Sequence, residues 1–429
     1  MKERINTMDS QSPNTDAPIA EPVRVNERIE VLDVIRGFAL LGIIIANMAA
    51  FSSPSGYLEI MGKNMWTGIV DTIVSSLIIM LVQGKFYIMF SFLFGLGFAI
   101  FFERARAKGK RPTLLFYRRL FILLLIGFAH AFLIWHGDIL VAYALLGFLL
   151  PLFAHRKPLT ILLWALLFFF GSVFILTSLM MLLAFAKSVN EGMITEALQP
   201  MFADVELRIE SSFHAYGHGT FAEIMAQRAS DTFYGYEQLC AVAAVIFAIF
   251  LLGLYAGKRA IFQNIASNLT LLKILWWCGL VVGLPMSMVK LFCRIQMAGD
   301  LFSFYGALHT GATFLGDAGL SLFFITSIVL LYHQGKWLHL FKPLASTGRM
   351  ALSNYLFQSI VCTTVFYSYG LGLYGKVGPA LGLVFAIAIF AVQIVLSKYW
   401  LANFQFGPVE WIWRCFTYGK LFKMKSDRP

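Results

Sequence analysis

Apolar residues in this chain run in long blocks separated by short polar segments. Ten blocks stand out, roughly 33–50, 86–103, 116–135, 139–154, 159–186, 236–256, 269–293, 303–332, 350–369 and 379–400. About 20 apolar residues cross the hydrocarbon core of a bilayer. Inside lipid only helices and closed barrels satisfy every backbone N–H and C=O, and none of the blocks alternates as a barrel strand does. The pattern therefore predicts an all-α fold, a polytopic transmembrane helix bundle of about ten spans occupying residues 33–402.

The stretch from Trp66 to Gln83 is long enough to span, but Asp71, Thr72, Ser75 and Ser76 interrupt its first half. Charge decides its place. Residues 103–119 hold Arg104, Arg106, Lys108, Lys110, Arg111, Arg118 and Arg119, which the positive-inside rule assigns to the cytoplasm. Counting 66–83 as a span would put either that loop or the N-terminus on the wrong side, so it is expected as an amphipathic interfacial helix on the outer surface. His155-Arg156-Lys157, Lys258-Arg259, Lys336 to Arg349 and Lys420 to Arg428 then all fall inside. The loop 187–235 falls outside, with three Lys or Arg against seven acidic residues. Residues 1–32 lack an apolar run and are expected to be a disordered cytoplasmic tail. Residues 403–429, with Trp411, Trp413 and Phe416 beside Glu410 and Arg414, are expected to form an interfacial segment and a basic cytoplasmic tail.

Composition agrees, with 59% hydrophobic and only 13% charged residues, against about 25% charged in a soluble domain. The net charge of +11 collects between apolar blocks, where it reads as membrane topology, and no nucleic-acid partner is implied. Membrane lipids are the expected surroundings. The five cysteines form no CxxC pair or metal-ligand spacing.

Ionisable groups inside a membrane are costly and need partners. Asp33 and Arg36 lie three residues apart on one face at the start of the first span, either as an end cap with a topological anchor or as a functional ion pair. Asn47 lies about 21 Å further along that helix, near its outer end. His136-Gly137-Asp138 closes the third span, where a carboxylate could fix the tautomer of the imidazole and raise its basicity; a hydrated helix-end turn is the alternative. His309 and Asp317, two turns apart on nearly one face, are either a structural polar contact or the lining of a cavity. No GxxxxGK[ST], GxSxG or HExxH motif occurs.

Several longer patterns carry a resemblance. They are Leu32-Asp33-Val-Ile-Arg36-Gly37 running to Asn47, Gly84-Lys85-Phe86 running to Phe94-Gly95-Leu-Gly97, His136-Gly137-Asp138-Ile-Leu, Gly348-Arg349 to Asn354-Tyr355, and Gly407-Pro408-Val-Glu410-Trp411-Ile-Trp413-Arg414 with Thr417-Tyr418-Gly419. In this order they resemble the YeiB family of bacterial membrane proteins, over nearly the whole chain. The first span also resembles a wider group of transmembrane acyltransferases, which includes the lysosomal heparan glucosaminide acetyltransferase and bacterial enzymes that O-acetylate surface glycans. In the O-acetylating enzymes a catalytic His occupies the position of Asn47, whereas here no His occurs between 48 and 129.

The resemblance implies an enzyme of the bacterial inner membrane that takes an acyl group from cytoplasmic acetyl-CoA or another acyl-CoA. The acceptor would be a glycan, lipid or small molecule at the outer face. Arg36 or Arg349 would meet the cofactor phosphates, His136 with Asp138 would deprotonate the acceptor, and Asn47 would hold the carbonyl or the acceptor. Asn47 and His136 are expected to share an outer vestibule. The alternative is a secondary transporter or lipid-handling protein using His309 and Asp317, and a third reading is a non-catalytic scaffold.

Overall fold

The computed structural model describes residues 29–109, 111–297 and 299–425. Among them there are fifteen α-helices and no strand, only an isolated bridge between Phe404 and Lys425. In chain order these are α1 (Glu30–Ser52), α2 (Ser55–Ile60), α3 (Ile69–Leu81), α4 (Lys85–Ala107), α5 (Pro112–Leu133), α6 (Leu140–Gly147), α7 (Pro158–Val189), α8 (Glu191–His218), α9 (Phe221–Lys258), α10 (Leu269–Gln296), α11 (Phe304–His333), α12 (Leu338–Arg349), α13 (Ala351–Phe366), α14 (Pro379–Asn403) and α15 (Pro408–Tyr418). The tail expected over 1–32 lies outside the described residues as far as 28, and α1 begins at Glu30, ahead of the expected boundary.

Eight segments are long and apolar enough to cross a membrane, and they take in eight of the ten expected blocks. Large side chains on the outward face of α7, such as Leu163, Leu167, Phe170 and Phe174, are exposed, as a lipid-facing surface requires. The protein is a multi-pass integral membrane protein. The blocks at 139–154 and 350–369 form shorter elements: α6 has 8 residues and continues through a 3-10 turn at Leu150–Phe153, while α13 has 16. At 1.5 Å per residue the run from Leu140 to Phe153 covers about 21 Å, less than the roughly 30 Å of a hydrocarbon core. The chain reversal at 134–139 is thereby drawn into the bundle.

The stretch 66–83 forms α3, a separate 13-residue helix with Ile69, Val70, Ile73 and Leu77 exposed. Residues 187–235, expected as an outer loop, are largely helical. α8 fills their middle, and α9 starts at Phe221 behind a Thr220–Glu223 capping box, running 38 residues, about 57 Å. A polar helix gives no apolar block, so block length alone missed it.

α1 is the central element, with Val34, Ile35, Ala39, Leu40 and Ile44 fully buried. It lies against α12 at backbone contact. A Cβ on Gly37 would collide with the Leu344 carbonyl, and one on Gly348 with the Asp33 carbonyl. Close approach through small residues is how transmembrane helices gain packing energy where lipid offers no hydrophobic drive. This contact places Arg36 and Arg349 at the same end of the bundle.

Candidate active site

α5 carries His130 just before its end, buried at 1% exposure. The reversal after α5 brings Asp138 back alongside it, and α13 supplies Ser359 from the other side. His130 Nδ1 is 2.8 Å from Asp138 Oδ1, and His130 Nε2 is 2.9 Å from Ser359 Oγ. The second carboxylate oxygen, Asp138 Oδ2, accepts the backbone N–H of Val141 at 2.8 Å. With Asp138 acting as acceptor at both oxygens, the imidazole proton belongs on Nδ1. Nε2 is then a lone pair, and the Ser359 hydroxyl is the group that donates to it. The three residues form a directional relay, Ser359 to His130 to Asp138.

A cavity of about 410 Å³ leads toward this relay. Its inner end is walled by Ile139, Leu140, Tyr143 and Tyr355, and the Tyr355 ring stands 5.0 Å from the His130 ring. The middle is apolar and aromatic, with Tyr87, Phe90, Leu93 and Phe94. The outer end carries Arg36, Arg104, Lys108, Arg119, Arg349 and Arg414, six cations against the carboxylates Asp33 and Glu410. Asp33 pairs with Arg36 at 2.6 Å, and Arg119 lies over the Trp413 ring at 4.0 Å. Cations at the mouth and an apolar throat suit a ligand with an anionic head and a long thin body.

Of the residues singled out from sequence, Asp33, Arg36 and Arg349 line this cavity and Asp138 belongs to the relay. The expected pairing of Asp138 with His136 is not formed, because two residues so close on a tight turn point apart. His136 Nδ1 lies instead 3.5 Å from the hydroxyl of Tyr216. Tyr216 and Tyr57 both donate to Asp231, at 2.7 and 2.9 Å. Burial, then the Asp231 charge, pushes the Tyr57 hydroxyl well above its ordinary value, so it remains a donor. Beside this group Arg228 is fully buried, with Nη1 2.7 Å from the Leu133 carbonyl. Phe51, at the end of α1, stacks on Trp135 at 4.0 Å, so the ends of the first and third spans do meet. Asn47, however, is outside the cavity lining, and no hydrogen bond joins it to His136 among the described residues.

His309 and Asp317 do not pair. His309 Nε2 is buried without a hydrogen-bond partner. Asp317 is bound by Lys85 at 2.6 Å and by Lys290 at 3.3 Å. Sequence reasoning passed over His130, Ser359, Lys85 and Lys290. A signal existed for His130, an ionisable residue inside an apolar block. Ser359 gave none, since serines bonded to their own helix are common in membranes.

Comparison with known proteins finds relatives along nearly the whole chain, none with an assigned chemistry. Residues 256–420 match the family described as "Protein of unknown function (DUF418)". Over 93% of its length the chain is 40% identical to the uncharacterized protein YxaH of Bacillus subtilis, covering 96% of that protein. It is 29% identical to an uncharacterized 39.9 kDa protein of Bacillus acidopullulyticus, over 94% of this chain and 97% of the other. It is also 27% identical to the uncharacterized protein YeiB of Escherichia coli, over 91% and 96%. No solved structure matches.

Proposed function

The chain belongs to the YeiB-like family of bacterial membrane proteins, and within that scaffold we propose that it is a transmembrane acyltransferase using an acyl-CoA such as acetyl-CoA. The observation that carries the reading is one continuous arrangement, a cation-rimmed cavity whose inner wall backs onto the Ser359–His130–Asp138 relay. The rim cations Arg36 and Arg349, with Arg104 and Arg414 beside them, bind the phosphates of the donor, since guanidinium groups match phosphate oxygens in pairs. The apolar throat holds the thin pantetheine arm and brings the thioester carbonyl to Tyr355 and Tyr143. His130 Nε2 takes the proton of the attacking group, and Asp138 stabilises the imidazolium that results. The thiolate leaves and recovers a proton from His130.

The basic end is the cytoplasmic one in this reading, which puts both termini inside the inner membrane and the acceptor, a glycan, lipid or small molecule, on the other side. A cysteine placed at position 210 would then react with an impermeant reagent from outside and one at 108 would not; the reverse result would turn the donor cavity to the wrong side. The transporter alternative gains nothing from the geometry, because Asp317 is held between two lysines instead of facing His309.

Purified protein incubated with labelled acetyl-CoA tests the reading. Saturable binding is expected, weakened by about a hundredfold when Arg36 and Arg349 are both replaced by alanine, since each lost phosphate contact is worth about 1.4 kcal/mol. Absence of binding at millimolar acetyl-CoA would sink it.

A further inference from the structure

We propose that Ser359 is the first acceptor of the acyl group, so that transfer passes through an acyl ester on Ser359 in two half-reactions. The inference rests on the acyltransferase reading and adds the covalent carrier to it.

The hydroxyl geometry of Ser359 differs from that of alcohols tied to their own helix. A serine or threonine in a membrane helix normally donates to the carbonyl four residues back. Ser91, Ser321, Thr326 and Thr363 do so at 2.8, 2.6, 2.7 and 2.9 Å. Ser359 lies 3.4 Å from its own such carbonyl, that of Tyr355, and 2.9 Å from His130 Nε2. Its proton is directed to the base. The base is in turn fixed by a carboxylate with both oxygens engaged, the arrangement that activates a hydroxyl nucleophile irrespective of fold.

The position is also right for receiving a group from the cavity. Tyr355, which walls the cavity, precedes Ser359 by one turn on the same face of α13 and is the ring against His130. Its hydroxyl donates to the Gly137 carbonyl at 3.3 Å, in the turn that carries Asp138. Tyr355 thus touches both the cavity and the His130 ring of the relay. On the far side of the relay, Trp135 and His136 belong to the aromatic cluster with Tyr216. A covalent intermediate lets donor and acceptor occupy opposite ends of the bundle in turn, with no open channel between them.

The balance is that of two acyl substitutions. In the first, the Ser359 Oγ–H proton moves to His130 Nε2, the Oγ–acyl bond forms, the acyl C–S bond breaks, and the thiolate takes the proton. In the second, an acceptor O–H or N–H gives its proton to Nε2, its oxygen or nitrogen bonds the acyl carbon, the acyl–Oγ bond breaks, and Ser359 recovers the proton. The sum converts acyl thioester and acceptor to acylated acceptor and free thiol, with no redox change.

The test needs no acceptor. The full-length protein in detergent is mixed with acetyl-CoA and isotopically labelled free CoA, and label entering acetyl-CoA is followed. Exchange is expected in the wild type, together with an acetyl increment on the peptide containing Ser359. Ser359→Ala should lower exchange by about a hundredfold or more while still binding acetyl-CoA. Ser359→Cys should retain exchange and carry a hydroxylamine-sensitive acetyl thioester, a result that a merely structural serine would not give. Binding of acetyl-CoA without exchange, or exchange undiminished in Ser359→Ala, overturns the covalent step alone. Failure of the wild type to bind acetyl-CoA overturns the acyltransferase reading and this inference with it.

Discussion

Two buried polar clusters lie inside the same apolar bundle and are built to opposite ends. In the relay one carboxylate, Asp138, accepts from the His130 imidazole and from the Val141 N–H, and no Lys or Arg contact to it is found among the described residues. In the second cluster Asp317 sits between two ammonium groups. Lys85 Nζ is 2.6 Å from Asp317 and donates also to the carbonyls of Ile79 and Gln83, both at 3.1 Å, so its three hydrogens are all used. Lys290 lies 3.3 Å from both carboxylate oxygens. Lys85 is the first residue of α4, and its two carbonyl partners belong to α3 and the turn that follows. Gly84 there has φ +88°, and a Cβ on it would run into the Asp317 carboxylate. This cluster fastens α3, α4, α10 and α11 around a carboxylate that is already paired on both sides. In the proposed acyltransferase reaction the relay gains a positive charge on His130, beside the Asp138 carboxylate. In a low-dielectric interior, catalysis needs a charge that has yet to appear, and structure needs charges whose partners are already in place.

The comparison is broken most forcefully at the fastening cluster. Lys85→Met should leave Asp317 with the more distant Lys290 as its only ammonium contact. Stability is expected to fall by about 3–5 kcal/mol, the usual cost of removing one partner of a buried pair. Thermal unfolding in detergent would show it as a large drop in Tm. The triple change Lys85→Met, Lys290→Met and Asp317→Leu, which removes all three charges, should recover part of the loss. A Lys85→Met protein as stable as the parent would mean that the cluster fastens nothing.

At the relay the same kind of change should act on chemistry first. His130→Asn is expected to lower acyl exchange by about 10²–10⁴-fold, the range for loss of a positioned base. Stability should fall by only about 1–3 kcal/mol, for buried hydrogen bonds lost. Asp138→Asn should leave acetyl-CoA binding intact and reduce exchange, since an amide can direct the wrong nitrogen proton toward Ser359. If His130→Asn and Lys85→Met reduced stability equally and exchange not at all, the two clusters would be one kind of thing.

The two clusters also differ in how far the sequence disclosed them. Run length was enough for the bundle, because about 20 apolar residues in lipid leave little alternative to a helix. It passed over a polar helix, α8, and made two helices longer than they are, α6 and α13. Arg36 and Arg349 were legible as cations at span ends, and they do line the cavity. Asp138 was legible too, but its partner was sought next to it in sequence. The reversal at 134–139 folds Asp138 back along α5, so the nearer His136 points to Tyr216 while His130, eight residues away, takes the carboxylate. Lys85 and Lys290 sit toward the ends of apolar blocks and read as topological charges. Only tertiary packing brings both to Asp317.

Glu410 is a third carboxylate at a helix junction and separates the two designs by pH, with the smallest effect. Its Oε1 accepts the N–H groups of Leu352 and Ser353 at 2.7 and 3.0 Å, at the start of α13, and its other oxygen takes the Ser353 hydroxyl. A carboxylate at a helix N-terminus is favourable. Burial nevertheless raises its carboxyl above the ordinary 4.5, only partly offset by the Ser353 bonds. The folded state therefore binds the proton more tightly than the unfolded chain. That contribution to stability is complete below the ordinary value and is lost as pH rises through the raised one. Glu410→Gln keeps an oxygen for the two backbone N–H groups and has no proton to lose. Unfolding followed from about pH 4.5 to 7 should show the wild type losing stability relative to Glu410→Gln as pH rises. A wild type that gained on the variant over that range would mean that the Ser353 and backbone bonds outweigh burial. Glu410 would then belong with Asp317, as a charge that holds the fold together.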